Sequence, residues 1–185
     1  MKDFLLFVSN FVKNPLGTGA IAPSSRFLTE EITSKIDFKN SRNIVELGPG
    51  LGVFTKAILR KSDKNARIFS FDVNKNFCSY MERKVIDNRL MIINESAEKI
   101  RETLKKFKVK KVDCVVSGLP FLDFPESKKR RIIKEVRNSL SNNGRFVLFQ
   151  YTTRLGKMLD SNFRKVKRTF VMRNIPPAFV YVCEK

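Results

Sequence analysis

The sequence predicts an α/β domain built on a mainly parallel sheet, and three observations predict it. From residue 43 onward, short β-rich runs alternate with helical stretches, as in a chain that crosses repeatedly from strand to helix to strand. A turn carrying three glycines separates the first such run from the first helical stretch. The 185 residues are 42% hydrophobic, enough for one core, and show no repeats, low-complexity tracts or obvious linkers. Asn43–Leu47 reads as the first strand, Arg67–Asp72 as the second, Leu90–Ile93 as the third and Val112–Val116 as the fourth. Arg145–Tyr151 reads as the fifth. Val166–Met172 and Ala178–Cys183 follow, joined by Asn174-Ile175-Pro176-Pro177, a connection short enough for an antiparallel pair. Helical stretches at about 52–62, 75–85, 97–107 and 126–140 fill the crossovers.

Residues 1–40 read as an N-terminal helical extension, packed on or next to the core domain of residues 41–185. On a helical projection of residues 3–13, Phe4, Leu5, Phe7, Val8, Phe11 and Val12 share an arc of about 160°. Two readings stand for this helix: one packed on its own domain, or one lying in a bilayer interface. Pro15 ends it, and a thin n-region without a small-residue cleavage site argues against a signal peptide. A second helix starts at Ser24 or Ser25, either of which suits an N-cap, with Glu30 and Glu31 expected near its positive end.

Composition removes several classes of function. No run approaches the roughly 18–20 apolar residues of a membrane span, and mean hydropathy is −0.25. Three scattered cysteines (Cys78, Cys114, Cys183) form neither a disulfide framework nor a zinc or redox motif. With no histidine, every mechanism using an imidazole as base, nucleophile or ligand is excluded, and no metal is expected. A reduced, cytoplasmic monomer is the expectation. Of the net charge of +19, the portion from residues 101–185 is +14, in runs such as Lys128-Lys129-Arg130-Arg131 and Arg164-Lys165-Val166-Lys167-Arg168. Such a field favours nucleic acid or an anionic membrane surface, unless the lysines simply solvate helix faces.

The most informative stretch is Glu46-Leu47-Gly48-Pro49-Gly50-Leu51-Gly52. Glycine lacks a Cβ, so the turn can be tight and its backbone can lie against a ligand. Asp72 follows 24 residues after Gly48, at the end of the second strand, where a carboxylate can accept both hydroxyls of a ribose. The spacing is GxGxG rather than GxGxxG, and no Walker lysine follows. The loop resembles motif I of class I S-adenosylmethionine-dependent methyltransferases, whose ligand has no pyrophosphate to cradle. The resemblance implies a Rossmann-like, seven-stranded, mostly parallel sheet with an antiparallel last strand, and S-adenosylmethionine as cofactor. It implies binding residues at Glu46, Gly48, Pro49, Gly50, Gly52 and Thr55, and at Asp72, Val73 and Asn74. Glu95, Ser96 and Ala97 fall where this superfamily often carries Gly-Asp-Ala; Ser96 stands at the Asp position, leaving Ser96 or Glu95 as the adenine acceptor.

After the fourth strand, Ser117-Gly118-Leu119-Pro120-Phe121 looks like the Asn-Leu/Pro-Pro-Tyr/Phe motif of amine-directed methyltransferases, in which backbone carbonyls and a polar side chain hold the amine. Gly19-Ala20-Ile21-Ala22-Pro23-Ser24-Ser25, Gln150-Tyr151-Thr152 and Asn174-Ile175-Pro176-Pro177-Ala178 extend the likeness. Together these stretches resemble the small soluble bacterial phospholipid (phosphatidylethanolamine) N-methyltransferases, related to the ribosomal RNA adenine dimethyltransferases. The resemblance implies methyl transfer to a head-group amine at an anionic, inner membrane surface, with Phe4, Phe7, Phe11, Ser24 and Ser25 on the membrane and substrate side. It also implies an acceptor site at Ser117, Gly118, Leu119, Pro120, Phe121 and Tyr151, with Ser117 also touching the cofactor and the rings of Phe121 and Tyr151 stacking on the cationic head group. The alternatives are a ribosomal RNA adenine N-dimethyltransferase, and a non-catalytic membrane- or nucleic-acid-binding protein on the same fold. The dimethyltransferase reading lacks the expected Asn at Ser117-Gly118 and the helical RNA-gripping domain.

Overall fold

The computed structural model describes residues 25–185. The readings made for Phe4, Phe7, Phe11, Ser24 and the helix of residues 3–13 lie outside the described residues. Helix α1 (Arg26–Ser34) begins at Ser25, whose side chain accepts the Leu28 N–H at 3.2 Å, so Ser25 is the cap. Its first turn holds no acidic residue. Glu30 and Glu31 lie a turn further on than expected and pair instead with Arg26 at 3.7 Å and Lys35 at 2.8 Å.

The sheet strands are β1 (Asn43–Leu47), β2 (Arg67–Phe71), β3 (Leu90–Ile93), β4 (Val112–Ser117), β5 (Leu140–Gln150), β6 (Lys165–Val171) and β7 (Ala178–Glu184). They lie in the order β3-β2-β1-β4-β5-β7-β6, and β7 alone runs against its neighbours. The expected seven-stranded, mostly parallel sheet is therefore present. The crossover helices are α2 (Val53–Lys61), α3 (Lys75–Lys84), α4 (Ile100–Lys106) and α5 (Glu126–Ser139), with a short α6 (Gly156–Asp160) before β6. Two boundaries differ from the sequence reading. The helix expected from residue 97 starts as a 3-10 turn, Ala97–Lys99, capped by Ser96. Strand β5 begins at Leu140, which already pairs with Val112; a register shift then takes up Ser141–Gly144 before Arg145 pairs with Cys114. Ser-Asn-Asn-Gly has loop composition, which hides this pairing from sequence.

The period of two along each strand divides the core into two layers. Val45, Leu47, Phe69, Val115 and Phe146 pack with Ile100 and Leu104 of α4 and Ile132, Ile133 and Val136 of α5. Ile44, Ile68, Val116, Val147 and Phe149 pack on the other face with Leu28 and Ile32 of α1 and with Phe54 and Ile58 of α2. Strand order reverses between β1 and β4, so the loops leaving these two strands diverge and open a crevice at their carboxyl ends.

Candidate active site

The crevice is bounded on the β1 side by the glycine turn. Gly48, Gly50 and Gly52 have φ of +73°, +53° and +79°, a region that disfavours any residue with a Cβ. Their surroundings differ. A Cβ on Gly52 would lie 2.4 Å from the Met81 sulfur of α3, so this glycine lets helix and loop touch. A Cβ on Gly50 would meet nothing within 4 Å, so the one unencumbered glycine faces the open crevice.

Beneath the turn lies Glu46, fully buried on β1. Alternation along the strand sends it to the α2 face, where its Oε2 accepts the hydroxyls of Thr55 at 2.5 Å and Ser70 at 2.9 Å. Its Oε1 is buried with no hydrogen-bond partner in the structure. Burial pushes its pKa up to about 7, helped by the Asp72 charge and opposed by the two hydroxyls. Glu46 and Thr55, both expected at the cofactor site, are fully buried beneath the turn. They tie the first turn of α2 to the sheet.

Asp72 leaves β2 with its carboxylate accepting the backbone N–H of Asn74, at 2.8 Å, and that of Gly50. Its own pKa is raised, chiefly by burial. Asn74 caps α3 by accepting the Asn76 N–H at 2.9 Å. Val73 is 68% exposed, an apolar side chain left open beside the crevice. After β3, Ser96 Oγ accepts the Glu98 N–H at 3.2 Å, and Glu95 accepts the Ser96 N–H at 2.8 Å and pairs with Lys99 at 3.2 Å. The last two contacts hold the Glu95 carboxyl below its ordinary range. Both side chains thus have local partners, and Ala97 is buried.

The β4 loop closes the other wall. Its Gly118 N–H donates to Leu47 O at 2.9 Å, and Leu119 Cδ2 lies 3.0 Å from where a Gly48 Cβ would stand, so the two loops are in contact. Ser117 is fully buried and its Oγ accepts the Leu119 N–H at 3.2 Å, shaping the loop rather than presenting a hydroxyl. Pro120 leads into a 3-10 turn, Phe121–Asp123, which folds Phe121 inward. That ring is 0% exposed, edge-on to Phe124 and Phe146. The expected stacking of Phe121 on a head group is therefore corrected: the ring is core.

Tyr151, the other ring expected there, lines a cavity together with Phe149. This cavity, of about 120 Å³, is lined by Gly118, Leu119, Pro120, Leu122, Asp123, Phe149, Gln150 and Tyr151. Phe149 and Tyr151 meet edge-to-face at 5.7 Å, and Phe149 continues to Phe54 of α2 at 5.8 Å. Gln150 donates to Leu119 O at 3.0 Å and fixes the loop against β5. Burial raises the Tyr151 pKa, so its phenol stays protonated at neutral pH. Phe149 and Leu122 were missed from sequence. A neighbouring cavity of about 340 Å³ shares Leu122 and is lined by Lys129, Arg130, Arg154 and Lys157 against the single carboxylate of Glu126.

A glycine cradle at the switch point, an acidic residue ending β2 and a small aromatic pocket beside both define a nucleotide-type cofactor enzyme of the Rossmann-like class. The chain belongs to the family described as "Methyltransferase small domain", whose pattern matches residues 16–173, and it is an S-adenosylmethionine-dependent methyltransferase. It is 28% identical over 188 residues to an ornithine lipid N-methyltransferase of Singulisphaera acidiphila, covering 99% of this chain and 96% of that one. In fold it is similar to an N-methyltransferase from Bradyrhizobium japonicum, solved with S-adenosyl-L-homocysteine, at TM-score 0.69 and 12% identity over 94% of this chain and 97% of that one. A precorrin-6y methyltransferase from Geobacter metallireducens is likewise similar, at TM-score 0.68 and 16% identity over 85% and 87% of the two chains. Among the described residues no helix is long and apolar enough to cross a membrane.

Proposed function

We propose that this chain transfers a methyl group to the primary amine of a lipid head group. The observation that carries the reading is the aromatic pocket of Phe149 and Tyr151, set against the cofactor loop through the Leu119–Gly48 contact. S-adenosylmethionine, when bound, supplies a methyl group already activated on a sulfonium. The residues that fit it are Gly50, whose missing Cβ leaves the space, Pro49 beside it, Asp72 with Val73 and Asn74 for the ribose side, and the Glu95–Ala97 segment for the base. Glu46, Thr55, Gly48 and Gly52 support that cradle from below.

The acceptor side needs little chemistry beyond position. A neutral amine has to lie in line with the methyl group, and the carbonyls of Ser117 and Gly118 are the groups proposed to orient it. Tyr151 cannot serve as base while its phenol is protonated. Asp123 gives the pocket a negative charge that draws in an ammonium, whose proton then leaves to solvent. As methylation proceeds the head group becomes permanently cationic, and the faces of Phe149 and Tyr151 retain it by cation–π attraction. The adjacent basic cavity suits the anion that accompanies the amine, whether phosphate in an ethanolamine lipid or carboxylate in an ornithine lipid.

The test is methyl transfer from labelled S-adenosylmethionine to separate pools of ethanolamine-phospholipid vesicles, ornithine-lipid vesicles and ribosomal RNA. Label in either lipid supports the reading and identifies the head group. Label in RNA alone, with none in lipid, overturns it in favour of the dimethyltransferase alternative.

A further inference from the structure

Seven large hydrophobic side chains are conspicuously exposed among the described residues, and four of them gather in one place. Phe170 (49%), Met172 (75%) and Ile175 (88%) lie on β6 and on the turn joining it to β7, and Phe27 (37%) lies on the first turn of α1. The two segments are joined: the Ser25 N–H donates to Asn174 Oδ1 at 3.3 Å, and Asn174 Nδ2 donates to Pro176 O at 2.6 Å. Asn174 is 2% exposed, so its amide is tucked inside while Met172 and Ile175 are exposed on either side of it and Arg173 stays at the surface. Arg26 and Arg173 stand at 5.5 Å and 5.4 Å from the centre of the same Phe27 ring, from opposite segments.

We propose that this turn, Met172–Pro177, together with Phe27, is a membrane-docking surface that seats the enzyme on an anionic lipid bilayer. Two observations favour lipid over another occupant. Arg173 in the turn and Arg26 on α1 flank the apolar tip, Lys167 and Arg168 follow along β6, and Glu30, 3.7 Å from Arg26, is the acidic group beside them, so the surroundings are predominantly positive. An anionic bilayer complements such a surface, whereas the equally basic surface of a second copy repels it. Pro176 and Pro177 have no N–H, which lowers the number of backbone donors the tip carries out of water.

Topology adds the functional sense. Gln150 pairs with Phe179 and Val171 with Ala178, so the tip leaves the sheet at the same carboxyl-end rim as Tyr151. The strand order β5-β7-β6 puts two interstrand spacings, about 10 Å, between them. A bilayer touching the tip therefore brings head groups to the mouth of the acceptor pocket. Docking stands on the surface itself and does not depend on which acceptor is methylated.

The chain has no tryptophan, so a single one reports its own environment. The full-length protein would be prepared as Ile175→Trp and, as control, as Ile86→Trp, an exposed position beyond the far end of α3. With vesicles containing phosphatidylglycerol, Trp emission at 175 should shift to the blue and be quenched by brominated acyl chains, while that at 86 stays unchanged. Removing either Arg26 or Arg173 as Gln should weaken vesicle binding about fivefold, and salt should weaken it further. Met172→Asp with Ile175→Asp should lower it by about tenfold or more. An emission at 175 that ignores the vesicles overturns the proposal. So does one already blue in buffer and unmoved by lipid, which would mean that residues 1–24 or a second copy cover the patch. Transfer to lipid in detergent micelles separates the two readings: activity there without insertion at 175 leaves the proposed function standing and removes only the docking surface.

Discussion

Glu46→Gln isolates the buried carboxyl under the cofactor turn. In the folded chain Glu46 titrates at about 7 against an ordinary 4.5, chiefly because burial disfavours its charge. The sign follows from linkage. Below the lower value both states hold the proton and Glu46 adds no pH dependence. Between the two values the unfolded chain ionises first, so stability falls as pH rises, and above about 7 the full cost remains. A shift of this size is worth about 3 kcal/mol. Gln keeps an acceptor for Thr55 and Ser70 but cannot ionise. Urea unfolding of both proteins from pH 5 to pH 8 should therefore show their stability difference moving in favour of the Gln variant by about 2–3 kcal/mol. Other titrating groups are common to both and cancel in that difference. Asp72→Asn in the parent should lower the midpoint, since it removes a neighbouring negative charge. A difference constant across this range would refute a buried, reluctantly ionised Glu46.

The glycines of the cofactor turn should separate by function. Gly50→Ala places a methyl group in open space at positive φ, costing about 1–2 kcal/mol of strain, and should weaken S-adenosylmethionine binding about tenfold or more by calorimetry while the chain stays folded. Gly52→Ala drives a Cβ into the Met81 sulfur and should chiefly lower the melting temperature. Phe121→Ala should cost about 3–5 kcal/mol of stability in denaturant, as a buried core ring does, with cofactor affinity per folded molecule retained. Unchanged stability with lost lipid transfer would instead restore Phe121 to the acceptor site.

What the sequence made legible follows from how each residue is read. Strands and crossovers declared themselves through runs such as Ile44–Leu47 and Ile68–Phe71, and three glycines between strand and helix marked the switch point. Glu46 also left a trace, since an acid among Val45 and Leu47 has to be buried with partners. Those partners, Thr55 and Ser70, are 9 and 24 residues away and meet it only once α2 has crossed back over the sheet. Phe121 and Phe149 were hard to read for a related reason. A ring after Gly-Leu-Pro looks like a loop residue, but the 3-10 turn after Pro120 directs it inward. Phe149 reads as core because β5 is covered on both faces, so residues 146–149 form one apolar run without alternation; it is indeed 6% exposed, and its place on the cavity wall beside Tyr151 shows only in the fold.

The same limit governs the surface. The sequence pointed to residues 3–13 for membrane contact because amphipathic periodicity is a pattern over many residues, readable without a fold. A turn of six residues has no periodicity to read. Met172-Arg173-Asn174-Ile175-Pro176-Pro177 reads from sequence as a short connection and as part of the family likeness, and its outward apolar side shows only once Asn174 is seen bonded to Ser25, 149 residues away in the chain. That bond buries the amide of Asn174 and leaves Met172 and Ile175 outward, next to Phe27 and on the rim that carries Tyr151. The apolar side of the turn is therefore set by tertiary structure, and single substitutions at Met172 or Ile175 should change membrane contact without disturbing the sheet that holds the active site.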